Sequence, residues 1–491
     1  MKLPKHGEKK EIPQEMLDFG FWKEYPERDR EYVRWYPCNI TRLSGEKIWE
    51  QIQEYEEPLS FYLHIPFCNN KCHSCFYTKY TTQPSLTDRY LDAIKKEITM
   101  YASQMYIKKK SFHSGYFGGG TPTALSEKQL YDLLTHVNKS LNIEKDAGIT
   151  METTPKEVTK GKIKIMLENG IKRISIGIQS LDDELLRRIG RNHTVQEAKD
   201  AVHLLREEGV KAINVDLMYG LPGETLESWQ YTIQQLMEMQ VDSVSLYSFV
   251  VIPFSKIFMK IMNGQQPECP KEETCIELYN YAVKTLLENN YKATSTQDFV
   301  NGNIETSEYL DFGESFSLGE KNYEGVFTPS MPQLAYPADR WYYCRDQIPF
   351  GSGAYGYVNT YTCLNEPDIL KYIETVNKGE YPVVMGSKVN KEERKAMLMV
   401  LGTKMLKVKK QDFYDRTKVH MEDAYGNIIK KLEEQGLVRL TEDALEVTYP
   451  KGWYYSDNIS KAFYSKDNYR IPQPAVDNVT VLKYLRENKV Q

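Results

Sequence analysis

The 491-residue chain has no uninterrupted apolar stretch near the ~18–20 residues that a membrane-spanning helix needs. Its start, Met1 to Gln14, lacks the apolar run of a secretory signal. No long block of one charge sign occurs either. The 63 basic and 68 acidic residues are interspersed and leave a formal charge of -5 and a pI near 6.0, which makes nucleic acid a poor partner. These absences imply a cytoplasmic protein without a membrane span. Cysteine is scarce as well, and eight in 491 residues are too few for a disulfide scaffold. Three of them, Cys68, Cys72 and Cys75, fall within eight positions while the rest scatter. Such clustering points to a metal site. Tyrosine is the residue in surplus, with 36 copies, and its ring and hydroxyl suit half-buried packing without implying a function.

The length exceeds one compact core and predicts a large catalytic domain with appendages. Short apolar runs at Phe61 to Ile65, Gly115 to Phe117, Ile149 to Glu152, Arg173 to Gly177, Ala212 to Leu217 and Ser243 to Tyr247 read as buried strands. Helical spacing at Ser85 to Met105, Ser126 to Leu141, Val195 to Glu208 and Leu226 to Met239 separates them. Repeated βα units of this kind predict an α/β fold with a parallel sheet, a partial (β/α)6 TIM-like barrel whose chemistry gathers at the C-terminal ends of the strands. The expected division is an N-terminal extension over 1–56 packed against the barrel, the barrel over 57–300, a bridging or lid segment over 301–388 and a C-terminal domain over 389–491. Ser307 to Pro337, rich in Gly, Ser and Pro, reads as a long loop. Glu422 to Gly436, followed by Leu437 to Leu440 and Leu445 to Val447, predicts a helix and hairpin of winged-helix type, used as packing surface.

The first strand runs straight into Cys68-Asn-Asn-Lys-Cys72-His-Ser-Cys75. Three thiolates on one loop can wrap one face of an iron-sulfur cube, and a set of three leaves one iron open to another ligand. The alternative is a closed, structural zinc site with His73 or His64 as fourth ligand. His73 stands between two of the cysteines, where coordination together with both neighbours would strain the loop.

CxxxCxxC after a strand resembles the radical S-adenosylmethionine (SAM) superfamily. The flanking Tyr62-Leu-His-Ile-Pro-Phe-Cys68 resembles its oxygen-independent coproporphyrinogen III oxidase branch. The resemblance runs from about Arg28 to Phe463 and includes Gly118-Gly-Gly-Thr121-Pro122, Glu152, Ile176-Gly-Ile-Gln179-Ser180, Arg191 and Asn214-Val-Asp216-Leu-Met-Tyr-Gly-Leu-Pro-Gly223. It implies a 4Fe-4S cluster on Cys68, Cys72 and Cys75 whose open iron chelates SAM. Reductive cleavage of that SAM gives a 5'-deoxyadenosyl radical, with an electron donor such as flavodoxin or ferredoxin. It further implies a first SAM at Tyr62, Gly119 and Glu152, and a second-SAM pocket at Ser74, Gly120, Thr121, Gln179, Arg191 and Asp216.

The oxidases carry a further cysteine two positions after the third, where this chain has Tyr77, and an Ala-His pair where this chain has Val250-Val251. Relatives without that cysteine include heme chaperones, heme-opening methyl-transferring enzymes, and methyltransferases or cyclopropanases. The sequence therefore predicts a radical SAM enzyme acting on a tetrapyrrole or aromatic small molecule, by methyl transfer or a related step. Oxidative decarboxylation of coproporphyrinogen III and heme carriage without turnover are the alternatives. Cys344, within Arg340-Trp-Tyr-Tyr-Cys344, is a candidate axial heme thiolate, although a cysteine among aromatics is more often simply buried.

Overall fold

The computed structural model describes residues 33, 35–50, 52, 57–75, 80–251, 255–302 and 335–468, with the backbone of two further strands at Leu310–Leu318 and Lys321–Phe327. Arg28 and Tyr77 lie outside the described residues. Six strands, β1 (Leu59–Ile65), β2 (Phe112–Gly119), β3 (Ile143–Thr153), β4 (Arg173–Gln179), β5 (Ala212–Tyr219) and β6 (Ser243–Ser248), pair in sequence order and all in parallel. Parallel neighbours need crossovers, and helices supply them: α1 (Pro84–Ser103), α2 (Glu127–Ser140), α3 (Lys160–Glu168), α4 (Asp183–Arg188), α5 (Val195–Glu207) and α6 (Leu226–Met239).

Local chemistry starts these helices where the apolar periodicity begins. Ser126 with Gln129 and Thr194 with Glu197 form reciprocal capping boxes at α2 and α5, satisfying amide donors that the first turn leaves unpaired. Both helices bury one stripe, Leu130, Leu133, Leu134 and Val137 on α2 and Ala198, Ala201, Val202 and Leu205 on α5. That stripe covers Ile149, Met151, Ile174, Ile176, Ile213 and Val215 in one continuous core.

The sheet does not end at β6. Tyr291–Ala293 and Asp298–Asn301 extend it antiparallel beyond β6. On the other edge Gln347–Phe350 adds in parallel to β1. Tyr355–Val358, Tyr361–Asn365, Val383–Lys388 and Thr41–Arg42 follow in antiparallel order, for thirteen strands in one sheet. Glu97 on α1 clamps this second half: its buried carboxylate accepts hydrogen bonds from Tyr372 Oη (2.6 Å), Gly351 N (2.7 Å) and Asn365 Nδ2 (2.8 Å).

Ser307 to Pro337, expected as loop, instead contains an antiparallel hairpin of Leu310–Leu318 with Lys321–Phe327. Its Gly, Ser and Pro content misled because backbone pairing between the two strands outweighs weak strand propensity. The helix Met421–Glu434 and hairpin Val438–Leu440 with Ala444–Val447 follow the sequence expectation, and Lys407–Lys409 adds a third strand. The described part of the N-terminal segment is tied to the C-terminal part of the chain. Val33 N donates to Asp457 Oδ1 (2.9 Å), Tyr36 Oη donates to Glu393 Oε2 (2.5 Å), and the Trp35 and Tyr355 rings stack at 4.4 Å.

Candidate functional site

Strands of a parallel sheet covered on both faces read as unbroken apolar runs. Here they alternate. Arg173, Ser175, Gly177 and Gln179 of β4 interleave with isoleucines, and Asn214 and Asp216 of β5 and Ser243, Ser245 and Tyr247 of β6 repeat the pattern. The apolar set packs beneath the helices, so the polar set turns into the lumen. Within it Asn214 Nδ2 donates to Asp216 Oδ1 (2.7 Å), Ser175 Oγ donates to Asp216 Oδ2 (3.1 Å), and Ser245 Oγ donates to Asp298 Oδ1 (2.7 Å). Burial pushes the Asp216 carboxyl up to about 7; Arg173 opposes this, and the Glu152 and Asp298 charges add to it.

At the C-terminal end of β2 the chain turns through Gly118, Gly119 and Gly120. Gly119 has φ +110°, and a Cβ there would lie 2.6 Å from the His64 ring; one on Gly120 would lie 2.5 Å from the Phe67 carbonyl oxygen. Only side-chain-free backbone fits between the strand end and the cysteine loop. Gly120 N donates to Ile65 O (2.7 Å) and Thr121 N to Phe67 O (2.8 Å), seating the turn directly under Cys68. Thr121 Oγ1 stands 3.4 Å from Cys68 Sγ. Glu152, ending β3, accepts from Tyr116 Oη (2.8 Å) and from Gly119 N (3.2 Å). Tyr62 stacks on Tyr116, and its hydroxyl meets His64 Nδ1 at 3.1 Å. Tyr62, Gly119 and Glu152 therefore share one corner of the rim.

Gln179 and Arg191 meet at the next corner. The register slips between Gly177 and Gln179, and Gln179 takes φ +78°, uncommon for a side-chain-bearing residue. A Cβ on Gly177 would lie 2.9 Å from Gln179 Nε2 and 3.4 Å from Arg191 Nη2. Arg191 donates through Nη2 to the Gly177 carbonyl and through Nη1 to Cys72 Sγ (3.4 Å). Asp216 is the cross-strand partner of Gly177; it lies in the lumen and is bonded to neither Gln179 nor Arg191 in the described contacts. Gln179 Oε1 and Arg191 Nε are buried without a hydrogen-bond partner among the described residues, which is costly unless a ligand answers them. Ser74 lies on the cysteine loop and is half-buried.

None of Cys68, Cys72 and Cys75 is disulfide-bonded, and they grade from buried through half-buried to exposed. Among the described residues no three His, Cys, Asp or Glu side chains converge closely enough to hold one metal ion. A four-iron cube differs, since it separates the thiolates it joins. His73, the fourth ligand that zinc would need, is turned away: its Nδ1 donates to Arg188 O (3.2 Å), and its ring lies 2.7 Å from where a Gly190 Cβ would stand. His64 Nδ1 is engaged with Tyr62. The donor set fits a three-cornered cluster with an open iron, and the two orphaned polar atoms beside it fit a polar ligand.

Sequence reading missed Tyr116, Arg173, Ser175, Asn214, Ser245 and Asp298; the alternation within parallel strands was the available signal. Val251 is buried with Ile189, Leu221, Phe249 and Ile257 in a separate apolar cluster. Cys344 is buried at φ +48°, with its sulfur 3.6 Å from Trp341 O and its backbone carbonyl accepting from Arg394 Nη1 (2.8 Å).

Residues 62–236 match the family model of the radical SAM superfamily. The heme chaperone HemW of Bacillus subtilis is 28% identical over 392 residues, 79% of this chain and 95% of the relative. Oxygen-independent coproporphyrinogen III oxidase of Helicobacter pylori is 26% identical over 404 residues, 80% of this chain and 83% of the relative. The solved coproporphyrinogen III oxidase (HemN) of Escherichia coli superposes with a TM-score of 0.69 at 22% identity, over 83% of this chain and 90% of that one. That likeness establishes the fold. Among the described residues no helix is long and apolar enough to cross a membrane.

Proposed function

This chain carries a radical SAM domain and has heme-chaperone and coproporphyrinogen-oxidase homologues, and on that premise we propose that it is a cytoplasmic enzyme using two SAM molecules on a tetrapyrrole or aromatic substrate. Cys68, Cys72 and Cys75 would hold the 4Fe-4S cluster, with a low-potential carrier such as flavodoxin or ferredoxin as its electron donor. When bound, cluster and SAM would supply one-electron reductive cleavage of SAM and hydrogen abstraction from the substrate. Glu152, fixed by Tyr116 and the Gly119 amide, presents a carboxylate beside the glycine turn, suited to SAM's methionine ammonium. Tyr62 walls that corner. Gln179, Arg191 and Asp216, with Ser74, Gly120 and Thr121, would line the second pocket and orient a SAM there for methyl transfer or a related step.

The observation that carries this reading is the pair of orphaned atoms, Gln179 Oε1 and Arg191 Nε, beside Cys72. Similarity to heme chaperones favours heme carriage as the second reading. Oxidative decarboxylation is the third, favoured by similarity to the oxidases.

Anaerobic reconstitution, reduction and product analysis with tetrapyrroles present and absent test the proposal. The expected result is 5'-deoxyadenosine well above a Cys72→Ala control, together with S-adenosylhomocysteine. Carbon dioxide in its place would select decarboxylation. Heme binding with no SAM-derived product would select the carrier.

A further inference from the structure

We propose that Arg191 is a redox-tuning residue: its guanidinium donates to the Cys72 sulfur and holds the cluster's reduction potential above the value the three cysteines alone would give. This rests on the reading of Cys72 as a cluster ligand.

The contact is built by the fold. The turn after α4 is stitched to the cysteine loop on both sides of Cys72. Ile189 O accepts from His73 N (2.8 Å), Arg188 O from His73 Nδ1 (3.2 Å), and Gly190 O from Asn70 Nδ2 (3.0 Å). Gly190 has φ +77°, and any Cβ there would collide with the His73 ring at 2.7 Å, so the close approach depends on glycine. Arg191 N closes the helix end onto Leu186 O (2.9 Å). One arm of its guanidinium is anchored on the Gly177 carbonyl, and the other reaches Cys72 Sγ at 3.4 Å. The guanidinium is permanently charged and planar, so anchoring one arm fixes the direction of the other.

Reducing a cluster adds one negative charge, shared between the irons and the ligand sulfurs. A cationic donor on one sulfur stabilises the reduced form more than the oxidised form, and hydrogen bonds to sulfur are among the levers that set such potentials. Arg191 thereby makes the electron that starts the chemistry easier to accept. It acts through Cys72 and is a positioning residue in this role.

The test uses the full chain, reconstituted anaerobically without added SAM, so that loss of a SAM contact cannot move the result. Midpoint potentials are read by redox titration with electron paramagnetic resonance for wild type, Arg191→Met and Arg191→Lys, alongside iron and sulfide content. The expected outcome is equal iron content and a more negative midpoint for Arg191→Met. At the wild-type midpoint its reduced-to-oxidised ratio should fall about tenfold, a displacement of about 59 mV for one electron. Arg191→Lys, which keeps the charge, should restore part of it. A fully loaded Arg191→Met protein with an unchanged midpoint overturns the proposal. Should that variant hold no cluster, wild-type protein grown with 15N-guanidinium arginine decides. A weak 15N coupling to the reduced cluster that vanishes in Arg191→Lys supports the contact, and its absence in wild type overturns it. A wild-type chain that assembles no cluster at all would instead fail the reading of Cys68, Cys72 and Cys75.

Discussion

Replacing Asp216 with Asn should make the fold less sensitive to pH while weakening the second SAM pocket. Burial lifts the Asp216 carboxyl from 3.8 to about 7. The folded state therefore holds a proton that the unfolded state has released between these values, and stability must fall as pH rises through that window. Each pKa step is worth about 1.36 kcal/mol, so the full displacement corresponds to roughly 4 kcal/mol. The Asp216 side chain keeps partial solvent access, and water screening leaves about 2 kcal/mol of this. Asparagine carries no such cost. Its carbonyl keeps the hydrogen bond from Asn214 Nδ2, and its amide can donate to the Ser175 hydroxyl in place of accepting from it, which limits the loss to less than about 1 kcal/mol. Asp216→Asn should then be about 1–2 kcal/mol more stable than wild type near pH 8 and equal or slightly less stable near pH 5. Anaerobic urea titrations at both pH values measure this. Glu97 and Glu224 are likewise lifted, to about 7 and about 8, but they contribute equally to both proteins and cancel in the difference. Parallel pH slopes for wild type and variant would refute the reasoning.

Glu152→Gln removes the charge that two donors hold beside the glycine turn. A lost charge-assisted hydrogen bond of about 1.5–3 kcal/mol predicts roughly 10- to 100-fold weaker SAM binding to the reconstituted protein by calorimetry; unaltered affinity would remove Glu152 from the SAM site. Glu97→Ala strands Tyr372, Gly351 and Asn365 in the core and should cost about 3–5 kcal/mol in urea unfolding, since each buried donor left unsatisfied costs about 1–3 kcal/mol. Glu97→Gln, which keeps the volume and one acceptor, should cost clearly less, and equal losses would show that the full carboxylate, not side-chain volume, matters there.

Much of this molecule is legible in its sequence because the barrel strands are short apolar runs bounded by turn residues. The helices between them begin at Ser, Thr, Asp or Pro and keep a 3.6-residue period. Predicted Leu226 to Met239 is α6 residue for residue. The cysteine loop, the glycine turn and Glu152 were legible because each ends a strand. What was not legible depends on long-range pairing. Gln347–Phe350 joins β1 from 282 residues further along the chain, a contact that no local pattern announces. The hairpin within 310–327 has composition typical of loops and is made by its own ladder. The contact between Arg191 and Cys72 spans 119 residues and arises only because Gly190 lets two loops close on each other. The polar face of β4 to β6 was present as a period of two and was passed over, since parallel strands are first read for length and apolarity. In an α/β barrel that alternation marks a functional lumen.

Heme ligation by Cys344 is a site expectation for which the geometry makes a negative prediction. An axial thiolate must be deprotonated and must face an opening wide enough for a porphyrin edge. Cys344 is 2% exposed, and burial pushes its thiol up from the ordinary range, with only partial relief from the Arg394 and Arg416 charges. Its sulfur points back at Trp341 O, inside its own turn. Reaching a heme would require undoing the left-handed backbone at φ +48° and the hydrogen bond from Arg394 to its carbonyl. Cys344→Ser should therefore leave any heme titration curve and Soret band of this chain unchanged, at a modest cost in stability from a hydroxyl placed where a thiol packs. Loss of the Soret band in that variant, with its circular dichroism intact, would restore Cys344 as a ligand and with it the carrier reading. An unchanged band would place heme elsewhere, and the polar lumen beside Glu152, Gln179 and Arg191 would be where to look.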